Sequence, residues 1–215
     1  MERERLEPEV RPGDGPDLTA PSEREAGHDA WLVEQARRGD QAAFEEIVHR
    51  YERRLTKALY HLVGDIEVAR DIAQESFLRF YQALHRFDAS RRVGPWLFRI
   101  AVNLATDWRR RGRHLSTRAR AQQRGVEPTS QVGYPEADDR ALAEEVRHVL
   151  NQLPEPYRLV LVLRELEGLP NSEIAAITGR KEATIRWRLA QARQMFKELW
   201  HARLNGHISH PKDDS

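Results

Sequence analysis

Residues Asn171–Met195 read NSEIAAITGRKEATIRWRLAQARQM, and the reading of this stretch decides the rest. Asn171 and Ser172 are residue types that cap a helix, and Ile174, Ala175 and Ile177 give that helix its apolar residues. Gly179 supplies the positive φ of a tight turn. A second helix follows from about Glu182, with Ile185, Leu189, Ala192 and Phe196 on one face and Arg186, Arg188, Gln191 and Arg193 largely on the others. A small residue, a glycine and an apolar residue at these intervals form a helix-turn-helix pattern. Ala175 leaves room for the second helix to cross, and Ile185 plugs the gap between the two.

Upstream of this pair, Leu142, Val146, Val149, Leu150 and Leu153 predict an amphipathic helix ended by Pro154. Tyr157 to Glu167 contains the run LVLVL, which on its own suits a buried strand. Pro156 at its start and Gly168 at its end, with no strand partner, favour a helix. Gly112 to Asp138 lacks apolar periodicity and contains Gly125, Pro128, Gly133 and Pro135, the composition of a linker.

The N-terminal half is also helical in pattern. Trp31, Leu32 and Ala36 precede a Gly39-Asp40 break; Phe44, Ile47, Val48, Tyr51, Leu55, Ala58, Leu59 and Leu62 then continue a core stripe to Gly64-Asp65. Asp40 is placed to cap the second of these helices. Residues 66–87 read as one helix, with Ala69, Ile72, Ala73, Ser76, Phe80, Ala83, Leu84 and Phe87 inward and Asp71, Gln74, Glu75, Leu78, Arg79 and Gln82 outward. The polar loop DASRRVGP, residues 88–95, follows. Over Trp96 to Arg111 a buried stripe of Trp96, Leu97, Ile100, Ala101, Leu104 and Trp108 is expected. Arg99, Asn103, Thr106 and Arg110 recur on the opposite face at spacings of four, three and four. An asparagine between arginines suits base-edge and phosphate contact.

The fold class expected is all-α: two small helical domains joined by a flexible linker, with the helix-turn-helix in the second. The boundaries expected are a disordered acidic extension over 1–28, a first domain over 29–113, a linker over 114–138, a second domain over 139–203 and a tail over 204–215.

Net charge is only +1, but its distribution is uneven. Residues 1–30 carry nine acidic and four basic side chains, whereas residues 109–124 carry seven arginines and no acid. There is no cysteine, which excludes disulfides and thiolate metal sites, and no apolar run approaches the roughly 20 residues of a membrane span. A cytoplasmic location is expected. The histidines are scattered without metal-ligand spacing, and no Gly-rich phosphate loop or nucleophile elbow is present. No catalytic residue, cofactor or metal is therefore expected, and the chain does not read as an enzyme.

Taken in order, these motifs resemble the extracytoplasmic-function (ECF) group of bacterial RNA polymerase sigma factors. ARDIAQESFLRFYQAL looks like the family helix that docks on the polymerase clamp, which implies polymerase-binding roles for Asp71, Gln74, Glu75 and Phe77. PWLFRIAVNLATDWRRR is similar to the family's minus-10 recognition helix, with Trp96, Arg99, Asn103, Asp107, Arg110 and Arg111 at matching positions. Residues 150–193 resemble the domain whose helix-turn-helix reads the minus-35 element. By that resemblance Lys181, Thr184, Arg186, Trp187, Arg188 and Arg193 join Arg99, Asn103, Arg110 and Arg111 as DNA-binding residues. Arg91 and Arg92 lie in the loop that in the family captures an unstacked minus-10 base; here they imply a grip on phosphate. Two positions depart from the family: Arg180 stands where an apolar residue is usual, and Trp187 where a small one is.

The function so implied is binding of core RNA polymerase and promoter-specific initiation, reading minus-10 and minus-35 elements and aiding promoter opening. The partners implied are core RNA polymerase, promoter DNA and an anti-sigma factor, with no small-molecule substrate. Elements about 25 base pairs apart are roughly 85 Å apart. A linker of about 27 residues spans at most about 90 Å extended but about 30 Å relaxed, so the free protein is expected to be compact or flexible. The acidic extension offers a mimic of DNA for the basic faces. The alternative is a dimeric helix-turn-helix repressor that binds palindromic sites without polymerase. A helical adaptor without DNA dependence is a third reading, disfavoured by the arginine stripes.

Overall fold

The computed structural model describes residues 23–88, 91–119 and 137–208, with side chains over 27–88, 91–111 and 142–205. Most of the acidic extension, most of the expected linker and residues 209–215 lie outside the described residues. Among the described residues there are helices and no strand. Four helices make the N-terminal set: α1 (Glu23–Arg37), α2 (Gln41–Val63), α3 (Ile66–Ala83) and α4 (Val93–Ala119). The C-terminal set is α5 (Ala137–Gln152), α6 (Glu155–Leu161), α7 (Asn171–Thr178) and α8 (Glu182–Ile208), with a π-helical turn at Val162–Leu166.

The breaks in the N-terminal set follow from local chemistry. The Asp40 carboxylate accepts from the Ala43 amide at 3.2 Å, and Asp65 accepts from Glu67 and Val68, each cap contributing about 1 kcal/mol. Between them Gly64 ends α2 in the left-handed conformation at φ 84°. Around α2 pack α1, α3 and α4, with Val33, Ile47, Leu55, Phe80 and Leu97 fully buried. The rings of Phe80, Phe87 and Trp96 meet pairwise at 5.3 to 5.6 Å and fasten the start of α4 to the end of α3.

Helix α1 starts at Glu23, within the acidic extension. Several other expectations are corrected. The 66–87 helix ends at Ala83 and closes in a 3-10 turn, Leu84–Arg86. Gly94 and Pro95 do not break the chain: they sit in the first turn of α4, where proline's missing N–H has no intrahelical acceptor to lose. That helix continues to Ala119, past Gly112. Trp31 and Trp108 are exposed, because the inward faces are Leu32, Val33 and Ala36 in α1 and Leu97, Phe98, Ala101, Val102 and Ala105 in α4. Helix α8 runs to Ile208 rather than ending near Leu204.

The two sets pack on each other. Helix α4 lies against α7, and α2 against α5, α6 and the π turn. Ion pairs among the described residues cross this seam: Arg54 to Glu167 at 3.2 Å, Arg92 to Glu173 at 2.8 Å and Arg109 to Glu155 at 3.7 Å. In all three the arginine comes from the N-terminal set and the glutamate from the C-terminal set. Arg147 of α5 also stands over the Tyr60 ring at 5.1 Å.

Candidate nucleic-acid interface

The polar stripe of α4 is where its spacing puts it. Arg99, Asn103, Thr106 and Arg110 are all exposed, on the face opposite the buried Leu97, Phe98, Ala101, Val102 and Ala105. Arg111 is exposed beside them. Arg110 pairs with Asp107 at 3.2 Å, a contact between two partly exposed groups that costs little to exchange for a phosphate. At the start of the helix Arg91 is exposed and pairs with Asp88 at 3.5 Å. Arg92 is half-buried and held by Glu173 of α7, so its guanidinium is shared with the seam.

The helix-turn-helix is formed as its pattern requires. Gly179 takes φ 64° and its N–H donates to the Ala175 carbonyl; Ile185, Leu189 and Ala192 are buried. The start of α7 differs from expectation. Pro170 is the N-cap residue and no side chain caps the helix, while Asn171 and Ser172 are its first residues. The Asn171 Oδ1 is buried without a hydrogen-bond partner.

Of the residues expected to meet DNA on and just before α8, Lys181, Arg186 and Trp187 are exposed and Thr184 and Arg188 half-buried. Arg186 pairs with Glu182 at 2.9 Å. Arg193 differs from the rest. Six residues beyond Trp187, it lies about 120° round the helix axis, and it pairs with Glu165 at 2.7 Å on the rim of an apolar groove of about 260 Å³. The groove is lined by Val146, Leu150, Leu161, Val162, Leu166 and Phe196 as well.

On α3, Asp71 and Gln74 are exposed and Glu75 is half-buried, paired with Arg79 at 2.8 Å. Phe77 does not share this face. It is 6% exposed and belongs to the core. Leu78 and Tyr81, four and seven residues beyond Gln74, are exposed large hydrophobic side chains there. Two features escaped the sequence reading. Tyr157 packs its ring 6.2 Å from that of Trp187, and Glu155, Glu167 and Glu173 receive arginines from the N-terminal set. Nothing local marks these residues, since each contact joins distant segments.

Burial pushes Glu167, 2% exposed, up to about 7, against the opposing pull of Arg54 and Lys57. Burial likewise holds His61 down to about 4, helped by Lys57 and Arg147. Among the described residues no group of side chains has the makings of a metal site, and no helix is long and apolar enough to cross a membrane.

Known proteins share this arrangement. Residues 47–114 match the Sigma-70 region 2 family and residues 143–196 the Sigma-70, region 4 family. The chain is 32% identical over 180 residues to the RNA polymerase sigma-H factor of Pseudomonas aeruginosa, covering 77% of this chain and 90% of that protein. It is 31% identical over 175 residues to the ECF RNA polymerase sigma factor SigW of Bacillus subtilis, covering 77% and 93%. The solved structure of CnrH in complex with the cytosolic domain of CnrY superimposes with a TM-score of 0.62 at 27% identity, over 81% of this chain and 98% of CnrH. With region 2 and region 4 both present, in that order, on an all-helical frame, the chain belongs to the ECF family of RNA polymerase sigma factors.

Proposed function

We propose that this sigma factor binds core RNA polymerase through the exposed polar face of α3, reads the minus-10 element with α4 and the minus-35 element with the start of α8, and so directs promoter-specific initiation. The observation that carries the reading is the exposed line Arg99, Asn103, Thr106 and Arg110 on α4, in a chain that ends in a formed helix-turn-helix. Arg91, Arg92, Arg110 and Arg111 hold phosphates, and Asn103 meets a base edge. Residues 29–113 and 139–203 act as the two domains. Polymerase does the chemistry of RNA synthesis; this chain contributes recognition and a grip on the opened strand. It works in the cytoplasm. Its family relationships lend the polymerase-independent repressor no support.

The packed arrangement cannot reach both elements at once. A compact chain of this length has a radius of gyration of about 17 Å and is about 45 Å across, against roughly 85 Å between the elements. The two sets must therefore separate on polymerase, breaking the Arg54–Glu167, Arg92–Glu173 and Arg109–Glu155 pairs. An anti-sigma partner fits the same logic by favouring the packed form, and the similar CnrH was solved bound to the cytosolic domain of CnrY.

Reconstitution tests the reading. Purified protein and bacterial core polymerase are mixed, bound genomic fragments selected, and start-site-specific transcripts sought. Transcripts that vanish with Asn103→Ala or Arg188→Ala while polymerase binding persists support it. Specific DNA capture without polymerase, and no transcripts with it, overturns it.

A further inference from the structure

Trp187 is the large exposed aromatic of the helix-turn-helix. It is 56% exposed and lies about 200° round α8 from Ile185, directly opposite the side that Ile185, Leu189 and Ala192 bury. More than half of the indole is left in water on the recognition helix. The Tyr157 ring, itself packed against the core from the first turn of α6, lies 6.2 Å from it at an interplanar angle of 55°. That distance is within the contact range of aromatic pairs. The ring contact gives the indole a neighbour on the protein before any ligand arrives.

What the indole can recognise follows from its chemistry. It has one donor, Nε1–H, and no acceptor, so the two-point hydrogen bonding that distinguishes guanine or adenine is closed to it. It carries no charge for a phosphate, whereas Lys181 and Arg186, both exposed, do. Its large apolar face suits the one apolar group displayed in the major groove, the thymine C5-methyl.

We propose that Trp187, braced by Tyr157, is a specificity-determining contact to a thymine methyl in the minus-35 element. The inference rests on α8 being the minus-35 helix. At that base pair the methyl is read, and the hydrogen-bonding edge is not. Tyr157 is a positioning residue that keeps the indole in the groove.

The test uses holoenzyme assembled from the full chain and bacterial core polymerase, with a promoter library randomised across the minus-35 element. Wild type, Trp187→Ser, Trp187→Phe and Tyr157→Ala are each selected; each preferred thymine is then replaced by deoxyuridine, which removes only the methyl. The wild type is expected to lose about fourfold in affinity at one thymine, the value of one buried methyl-sized group. Trp187→Ser loses both the thymine preference and the deoxyuridine effect, Trp187→Phe keeps part of both, and Tyr157→Ala blurs the preference without abolishing transcription. Defined transcripts with the same thymine preference and the same deoxyuridine effect in wild type and Trp187→Ser overturn this inference alone. No defined transcripts from wild type overturn the promoter reading and this inference with it.

Discussion

Arg54 reaches across 113 residues of sequence to Glu167: its Nε donates to the carboxylate at 3.2 Å, and its Nη2 donates to the backbone carbonyl of the same residue, also at 3.2 Å. Glu167 is 2% exposed while Arg54 keeps a third of its surface in water. The seam between the two helical sets therefore contains a buried carboxylate with one close cationic partner and a second cation, Lys57, in its field.

Arg54→Ala is expected to loosen the packed form by about 1–3 kcal/mol, the cost of leaving a buried acceptor without its donor. The exposure of Arg54 and the readiness of Glu167 to take up a proton keep the effect below that of a fully buried pair. Small-angle scattering reads it as a larger radius of gyration than wild type. An unchanged radius would show that the pair does not hold the seam.

The same carboxylate makes the seam depend on pH. Glu167 rises from its ordinary 4.5 to about 7 when buried, so the packed form takes up a proton between those values, is favoured as pH falls, and loses that support as pH rises through 7. His61 works the other way. Held at about 4 against an ordinary 6.5, and faced by Arg147 and Glu144 of α5, it favours opening as pH falls below 6.5. The two nearly cancel from about 4.5 to 6.5, which leaves a loss of compactness between about pH 6.5 and 7.5. Scattering across that window should show expansion in wild type and none in Glu167→Gln.

Phe77 and its neighbours on α3 separate stability from docking. Phe77→Ala should cost about 3–5 kcal/mol, read as a lower denaturant midpoint, because a buried ring leaves a cavity. Asp71→Ala and Gln74→Ala touch exposed side chains and should leave the midpoint within about 0.5 kcal/mol while weakening binding to core polymerase. A polymerase-binding defect confined to Phe77→Ala would remove the α3 face from the docking site.

Salt dependence distinguishes phosphate contacts from base contacts on and beside α4. Arg91→Ala and Arg92→Ala should each lower the salt slope of open-promoter binding by about 0.7, the value for one phosphate on a single strand. Asn103→Ala should leave the slope alone and relax base preference at one position by about 1–3 kcal/mol. Equal slopes for all three variants would place the arginines away from the strand.

By itself the sequence determined what depends on neighbours three or four residues away. The helical pattern, the Asp40 cap, the Gly179 turn with Ile185 behind it, and the Arg99–Asn103–Thr106–Arg110 line all follow from a 3.6-residue period and from residues with fixed local preferences. The same rule misled at Trp31 and Trp108: an apolar residue on the margin of a stripe is buried only if another helix arrives to cover it. Tertiary structure alone decided that Arg193 turns to Glu165, that Tyr157 stands beside Trp187, and that arginines of one set meet glutamates of the other. These contacts join segments up to 113 residues apart. They depend on the angle at which whole helices dock, and no local spacing encodes that angle.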